Sequence, residues 1–274
     1  MIISFLLFLC VTGAVAGALY AMTKIPAPLF VVSMILLFLP VFGFSQTEAL
    51  LPVIATAITS FIPVLLLQWL EDMKAQKVDA TALIALSPGA AMGGVIGAQI
   101  VSFMVPIFFQ LTLSFIVLVL TATVLIRLPP FKSIVIKGLF SDLNTHYLRI
   151  PMGLLIGTIS IMAGGPGKSL ASATLTITSG KEPYKNGTST GIALFVSIAA
   201  MVGFSVPAKA IHYDLIDGNI GAIQLTSCMV LAISQLAFYK VCKNRGNRLD
   251  QTVLTLGLLA FLIIAVSRVW FMAL

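Results

Sequence analysis

The residues best suited to chemistry in this chain form one short run, Met162-Ala163-Gly164-Gly165-Pro166-Gly167-Lys168-Ser169. Glycine tolerates positive φ and lets a ligand approach the backbone closely. Pro166 has no N–H and stops a helix arriving along Ile150–Ala163. A helix leaving near Gly167 starts with N–H groups that lack internal partners, and these, with the helix dipole, favour an anion. Lys168 adds a full positive charge at the same place. The spacing differs from the GxxxxGK[ST] phosphate loop, and no strand precedes it. A second run, Lys24-Ile25-Pro26-Ala27-Pro28, follows the same plan with fewer donors, its lysine placed before the proline. A lysine at bilayer depth costs about 3 kcal/mol on insertion scales, which makes Lys24 and Lys168 candidate ligands. The competing reading has each lysine snorkelling to an interface.

Other polar groups could join them. Asn186-Gly187-Thr188-Ser189-Thr190 opens the following apolar stretch. It reads either as hydroxyls and helix N-terminal amides that ligate an oxyanion, or as an ordinary N-cap. Thr56, Thr59 and Ser60 either line the cavity from the other half or bond helix to helix. The nine acidic residues are Glu48, Glu71, Asp72, Asp79, Asp142, Glu182, Asp214, Asp217 and Asp250, and each reads as a loop or span-end residue. That pattern disfavours a proton relay through a buried carboxylate, and it disfavours a cation as substrate. An uncompensated lysine pair would be neutralised by an anionic substrate. Cys10, Cys228 and Cys242 are isolated and His146 and His212 fall in loops, so no metal, redox site or cofactor is expected. No nucleophile and base sit together at depth, so no enzyme is expected either.

The elements that must position these residues are apolar spans. Of 274 residues, 59% are hydrophobic and 9% charged, against roughly 25% charged in a soluble domain. Sixteen Lys+Arg and nine Asp+Glu cannot cover the surface of a soluble protein of this size. A stretch near 20 apolar residues crosses a bilayer. Spans are expected at Ile2–Thr23, Ala49–Leu70, Ala80–Met104, Pro106–Ile126, Gly187–Phe204, Asn219–Tyr239 and Thr252–Phe271, with shorter pieces at Leu29–Phe44, Ile150–Ala163 and Ser169–Thr178. Lys74 and Lys77, then Arg127, Lys132, Lys137 and Arg149, then Lys240, Lys243, Arg245 and Arg248 mark three cytoplasmic loops by the positive-inside rule. The net charge of +7 is therefore a topology signal and not a nucleic-acid footprint. No basic residue precedes Lys24, which argues against a cleaved signal peptide over Met1–Ala18.

The two halves resemble each other. A shift of 140 positions lays Gly13 on Gly153, Gly17 on Gly157, Met22 on Met162 and Pro26 on Pro166. Each half then reads as a helix, a Pro-containing break, a short helix and three long spans. The expected fold is an all-α polytopic membrane protein of two inverted repeats, residues 1–126 and 148–274, joined by a cytoplasmic linker at 127–147. Inverted repeats with broken helices are a transporter signature, with the breaks meeting near the midplane.

These motifs resemble the sulfite exporter TauE/SafE family of membrane permeases. The similarity rests on Gly157–Leu175 with its glycine-rich run, on Asn186-Gly187-Thr188-Ser189, on Ile216-Asp217-Gly218 leading to Gly221, and on Gly93-Gly94-Val95-Ile96-Gly97-Ala98. It departs at Lys24-Ile25-Pro26-Ala27, where glycines are usual, and at Ala49-Leu50-Leu51-Pro52, which lacks a Thr-Ser pair. The resemblance implies an inner-membrane permease for sulfite, thiosulfate or an organosulfonate such as sulfoacetate, working by alternating access. Its partners are that anion and the lipid bilayer, and a homo-oligomer stays open. The expected site comprises Lys24, Pro26, Gly164, Gly165, Gly167, Lys168, Ser169, Asn186, Thr188, Ser189, Thr56 and Thr59. An anion channel with the same site, or an accessory membrane subunit, are the alternatives.

Overall fold

The computed structural model describes residues 2–43, 46–127, 149–178, 182–209, 218–243 and 251–271. The 127–147 linker beyond Arg127, both histidines, Arg245, Arg248 and the Ile216-Asp217 pair lie outside the described residues. The chain is helical nearly throughout: α1 Ile2–Thr23, α2 Ala27–Phe38, α3 Gln46–Lys74, α4 Ala80–Val101, α5 Pro106–Arg127, α6 Arg149–Met162, α7 Lys168–Thr178, α8 Glu182–Ser205, α9 Leu225–Lys243 and α10 Gln251–Phe271. Within them, six stretches are long and apolar enough to cross a membrane, in α1, α3, α4, α5, α8 and α9. Large apolar side chains point outward along these helices, as Ile3, Leu7, Val11 and Val15 do on α1 at four-residue spacing. That stripe fits a lipid solvent.

Both expected breaks are present, and local chemistry explains each. At the end of α6, the Gly165 N–H donates to the Ser160 carbonyl at 2.8 Å and the Gly164 N–H to the Ile161 carbonyl at 2.9 Å. This paired closure with Gly164 at φ +75° is a Schellman cap, for which glycine is favoured because φ is positive. α1 ends differently. Lys24 takes φ +61° and its N–H donates to the Tyr20 carbonyl at 3.0 Å. A side chain in this left-handed conformation costs about 1–2 kcal/mol. α1 has 22 residues and α6 has 14, so the first break follows a helix about 33 Å long and the second one about 21 Å long.

Small residues set the tightest contacts. α4 and α6 run side by side in one direction, with Gly89, Gly93 and Gly97 against Ile150, Leu154 and Thr158, and Gly153 and Gly157 facing back onto Leu86 and Ala90. α1 and α9 make the other such pair, Gly13 against Leu231 and Ser234, and Gly17 against the backbone of Gln235. Number the helices of each half in order and exchange the halves: α1–α9 becomes α6–α4, α3–α9 becomes α8–α4, α2–α3 becomes α7–α8, and α10–α2 becomes α5–α7, while α3–α8 maps onto itself. Every one of these pairs is packed in the structure.

Some boundaries differ from the sequence reading. α3 runs on to Lys74, past the expected end at Leu70, so Glu71 and Asp72 belong to its last turns. α8 starts at Glu182, before the expected Gly187. The amides at 186–190 are therefore mostly spent inside a helix and do not form an open N-terminus. The expected span from Asn219 begins instead at Leu225, preceded by a small hairpin pairing Asn219–Ile220 with Ile223–Gln224. Gly218 and Gly221, both at positive φ, turn the chain there. A short 3-10 turn, Leu39–Phe42, lengthens α2.

Candidate functional site

A cavity of about 270 Å³ lies where the two breaks meet the ends of three other helices. The first break gives it Thr23, Lys24, Ile25 and Pro26, and α7 gives Lys168, Ser169 and Ser172. Asn186 comes from α8, Leu120, Thr123 and Val124 from α5, and Thr252 and Thr255 from α10. Most walls carry a cation, an amide or a hydroxyl, while Leu120, Val124, Ile25 and Pro26 supply apolar surface. The α2 segment after the first break seats the second one, with Leu29 and Val32 lying where side chains on Gly165 and Gly164 would go.

The two lysines are held by one aromatic ring. Tyr20, fully buried near the end of α1, accepts a hydrogen bond from Lys168 Nζ at 3.0 Å. The same ammonium lies 4.8 Å from the Tyr20 ring centroid, and Lys24 Nζ lies 5.9 Å from it. Lys24 Nζ is also 5.6 Å from the Tyr239 ring, on α9. Cation–π contacts of this kind hold a desolvated ammonium in place. Phe61 packs edge-on to Tyr20 at 4.7 Å and keeps the ring upright. Lys168 is only 4% exposed, so it does not snorkel out of the protein.

Acidic residues stand closer than the sequence reading supposed. Asp72 is within Coulombic reach of both Lys168 and Lys24. Glu71, one residue earlier, pairs with Lys243 at the end of α9 and accepts from the Tyr239 hydroxyl. The lysine pair is therefore not wholly uncompensated. The Lys243–Glu71 pair also ties the α3 end to the α9 end, so two of the basic loops share one end of the bundle. The start of α8 joins them there: the Asp79 N–H donates to Thr188 Oγ1 at 2.9 Å, and Gly187 sits against the Lys77 backbone.

Of the expected site residues, Lys24, Pro26, Lys168, Ser169 and Asn186 line the cavity. Gly164, Gly165 and Gly167 shape the second break, Gly167 at φ +89°, but stand behind the lining. Thr188 is taken up by Asp79 and Ser189 donates to the Asn186 carbonyl. Thr56 accepts from the Gln224 N–H of the hairpin, and the partly buried Thr59 hydroxyl has no hydrogen-bond partner among the described residues; neither lines the cavity. Sequence reading missed Tyr20, Ser172, Thr123, Thr252 and Thr255. The hydroxyl period along α7, Ser169 then Ser172, was the one signal that could have extended the list.

Six helices long and apolar enough to cross a membrane, packed around a small cavity that holds buried Lys168 and half-buried Lys24, have the architecture of a multi-pass membrane protein. A family model described as Sulfite exporter TauE/SafE matches residues 7–269. The chain belongs to the sulfite exporter TauE/SafE family, whose members are membrane transporters of sulfur-containing anions. No curated protein and no solved structure matches it.

Proposed function

We propose that this protein is a secondary transporter that binds one small sulfur-containing oxyanion, sulfite, thiosulfate or an organosulfonate, between Lys168 and Lys24. The observation that carries this reading is the convergence of both lysines on the rim of one cavity, gathered by Tyr20. A cation substrate would meet two like charges there. α7 begins at Lys168 and Ser169, both in the cavity lining, and the positive end of its dipole adds attraction for an anion. The hydroxyls of Thr123 and Ser172, which donate to the Leu120 and Ser169 carbonyls, and those of Thr252 and Thr255 add polar surface around a tetrahedral group.

The two halves are proposed to be inverted repeats whose rocking alternates access. The exchange of helix pairs between halves supports that relation. The cavity is bounded by the last turn of α5 and the first turns of α8 and α10, at the end where Lys74, Lys77 and Lys243 gather. By the positive-inside rule this end is cytoplasmic, and the membrane is taken to be the inner one. Uptake of labelled sulfite, thiosulfate and sulfoacetate into proteoliposomes, with Lys168→Ala and Lys24→Ala alongside, tests the reading. Anion flux in the native chain that drops at least tenfold in both variants supports it; unchanged flux in both defeats the site.

A further inference from the structure

The 140-residue correspondence between the halves carries the cavity to a second place in the molecule. Lys24 and Ile25 of the first break fall on Gly164 and Gly165 of the second, and Ser169 and Ser172 of α7 fall on Leu29 and Val32 of α2. The structure holds the two sets in opposite ways. Lys24, Ile25, Ser169 and Ser172 all line the cavity. Their counterparts are in contact. Leu29 Cδ2 lies 3.2 Å from where a side chain on Gly165 would begin, and Val32 Cγ2 lies 3.2 Å from the same point on Gly164. Leu29 and Val32 are fully buried, and both glycines are buried beneath them.

The chemistry of the two sets differs as well. α7 brings hydroxyls to the cavity, whereas α2 opens with Ala27-Pro28-Leu29-Phe30-Val31-Val32 and is buried through Ser33. The Ser33 hydroxyl donates to the Leu29 carbonyl of its own helix at 2.8 Å. The contact of α2 with the second break is therefore apolar, and parting it breaks no side-chain hydrogen bond. It also stands beside the cavity wall, because Leu29 is one turn beyond Pro26. From there α2 runs back along α1, with Phe38 and Phe42 against Phe8, away from the end that bears Lys243. An apolar constriction at such a point bars a hydrated anion by excluding its water. We propose that Leu29 and Val32, seated on Gly164 and Gly165, are the outer gate of this transporter. In the opposite state they part, while Ser169 and Ser172 close on Ile25 and Lys24, as the exchange of inverted repeats requires. The glycines leave the space into which the two side chains shut. The inference rests on the anion-binding and repeat readings above, and it names the residues that separate the site from the far side.

The test locks the gate in the full chain with Cys10, Cys228 and Cys242 replaced. Val32→Cys with Gly164→Cys puts two Cβ atoms 3.5 Å apart, a separation that a disulfide spans. Oxidation is expected to cut proteoliposome uptake of labelled sulfite, thiosulfate and sulfoacetate at least tenfold, and reduction to restore it. The thermal shift given by the same anions should persist in the oxidised protein, because the cavity stays open on its own side. Unchanged uptake with the disulfide verified by mass overturns the gate. So does loss of the thermal shift together with the flux, which would make the contact part of the binding site. Gly164, at φ +75°, accepts a side chain poorly, so Val32→Cys alone gives a second reading. An impermeant maleimide should label it in right-side-out vesicles and stop the flux, and should leave it unlabelled in inside-out ones. Labelling from the cytoplasmic face, or from neither face, overturns the gate. Absence of both flux and thermal shift in the native chain overturns the anion-binding reading instead, and the sidedness of Val32→Cys labelling still decides the gate.

Discussion

Tyr20 carries no charge, yet it fixes where two charges sit. Its hydroxyl is the acceptor for Lys168 and its ring faces both ammonium groups. A hydrogen bond to a charged group contributes about 1.5–3 kcal/mol. Tyr20→Phe keeps the packing on Phe61 and removes only that bond, so it should lower the melting temperature in detergent and raise the KM for the anion several-fold. An unaltered melting curve would show that the bond contributes nothing. Lys168→Met tests the charge itself. A ligand at a hundredfold excess over Kd stabilises the folded state by about 2.7 kcal/mol. The native chain should show that anion-dependent thermal shift and Lys168→Met should lose it. The lysines were legible in the sequence because a charge among apolar residues is costly wherever it is not used. Tyr20 was not, since a tyrosine in an apolar helix reads equally well as an interface aromatic. Thr123, Thr252 and Thr255 were illegible for another reason: a hydroxyl in a membrane helix says nothing about which helix it faces.

Helix ends and helix seams obey local rules, and there the sequence was more informative. The Gly164-Gly165-Pro166-Gly167 run announced the end of α6 and the start of α7, and a Schellman cap realises it. The start of α8 was misplaced because Asn186-Gly187-Thr188 looks like a cap, while Thr188 lies inside α8 and receives the Asp79 N–H. The hairpin at 219–224 hid in an apolar run whose two glycines, 218 and 221, carry the turn. The glycine seams make a quantitative prediction. A methyl at Gly93 would collide with the Leu154 carbonyl, and one at Gly17 with the Gln235 backbone, whereas a methyl at Gly257 of α10 meets nothing within 4 Å. Gly93→Ala and Gly17→Ala should each destabilise by about 1–3 kcal/mol through overpacking. Gly257→Ala should be neutral or stabilise by up to about 1 kcal/mol, because alanine is the better helix former. Thermal melts of the three variants in one detergent decide the order; equal losses would mean the seams are looser than their geometry implies.

At the scale of the whole molecule the argument concerns which face the cavity meets. Thr252 and Thr255 belong to the first turns of α10, Thr123 to the last turns of α5 and Asn186 to the first turns of α8. The α8 start touches the α3–α4 turn, and the α3 end is joined to α9 through Glu71 and Lys243. The cavity therefore lies toward the end that bears the basic residues, the end proposed above to be cytoplasmic. On the proposed alternating-access mechanism, this state exposes the site to one side only. With Cys10, Cys228 and Cys242 replaced, a single Thr255→Cys becomes a reporter of that exposure. An impermeant maleimide should label it in inside-out vesicles and leave it unlabelled in right-side-out ones. Saturating anion should slow the labelling, both by occupying the cavity and by shifting the population toward the opposite opening. Equal labelling from both faces without anion would instead describe a continuous aqueous path, which is the behaviour of a channel and not of a carrier.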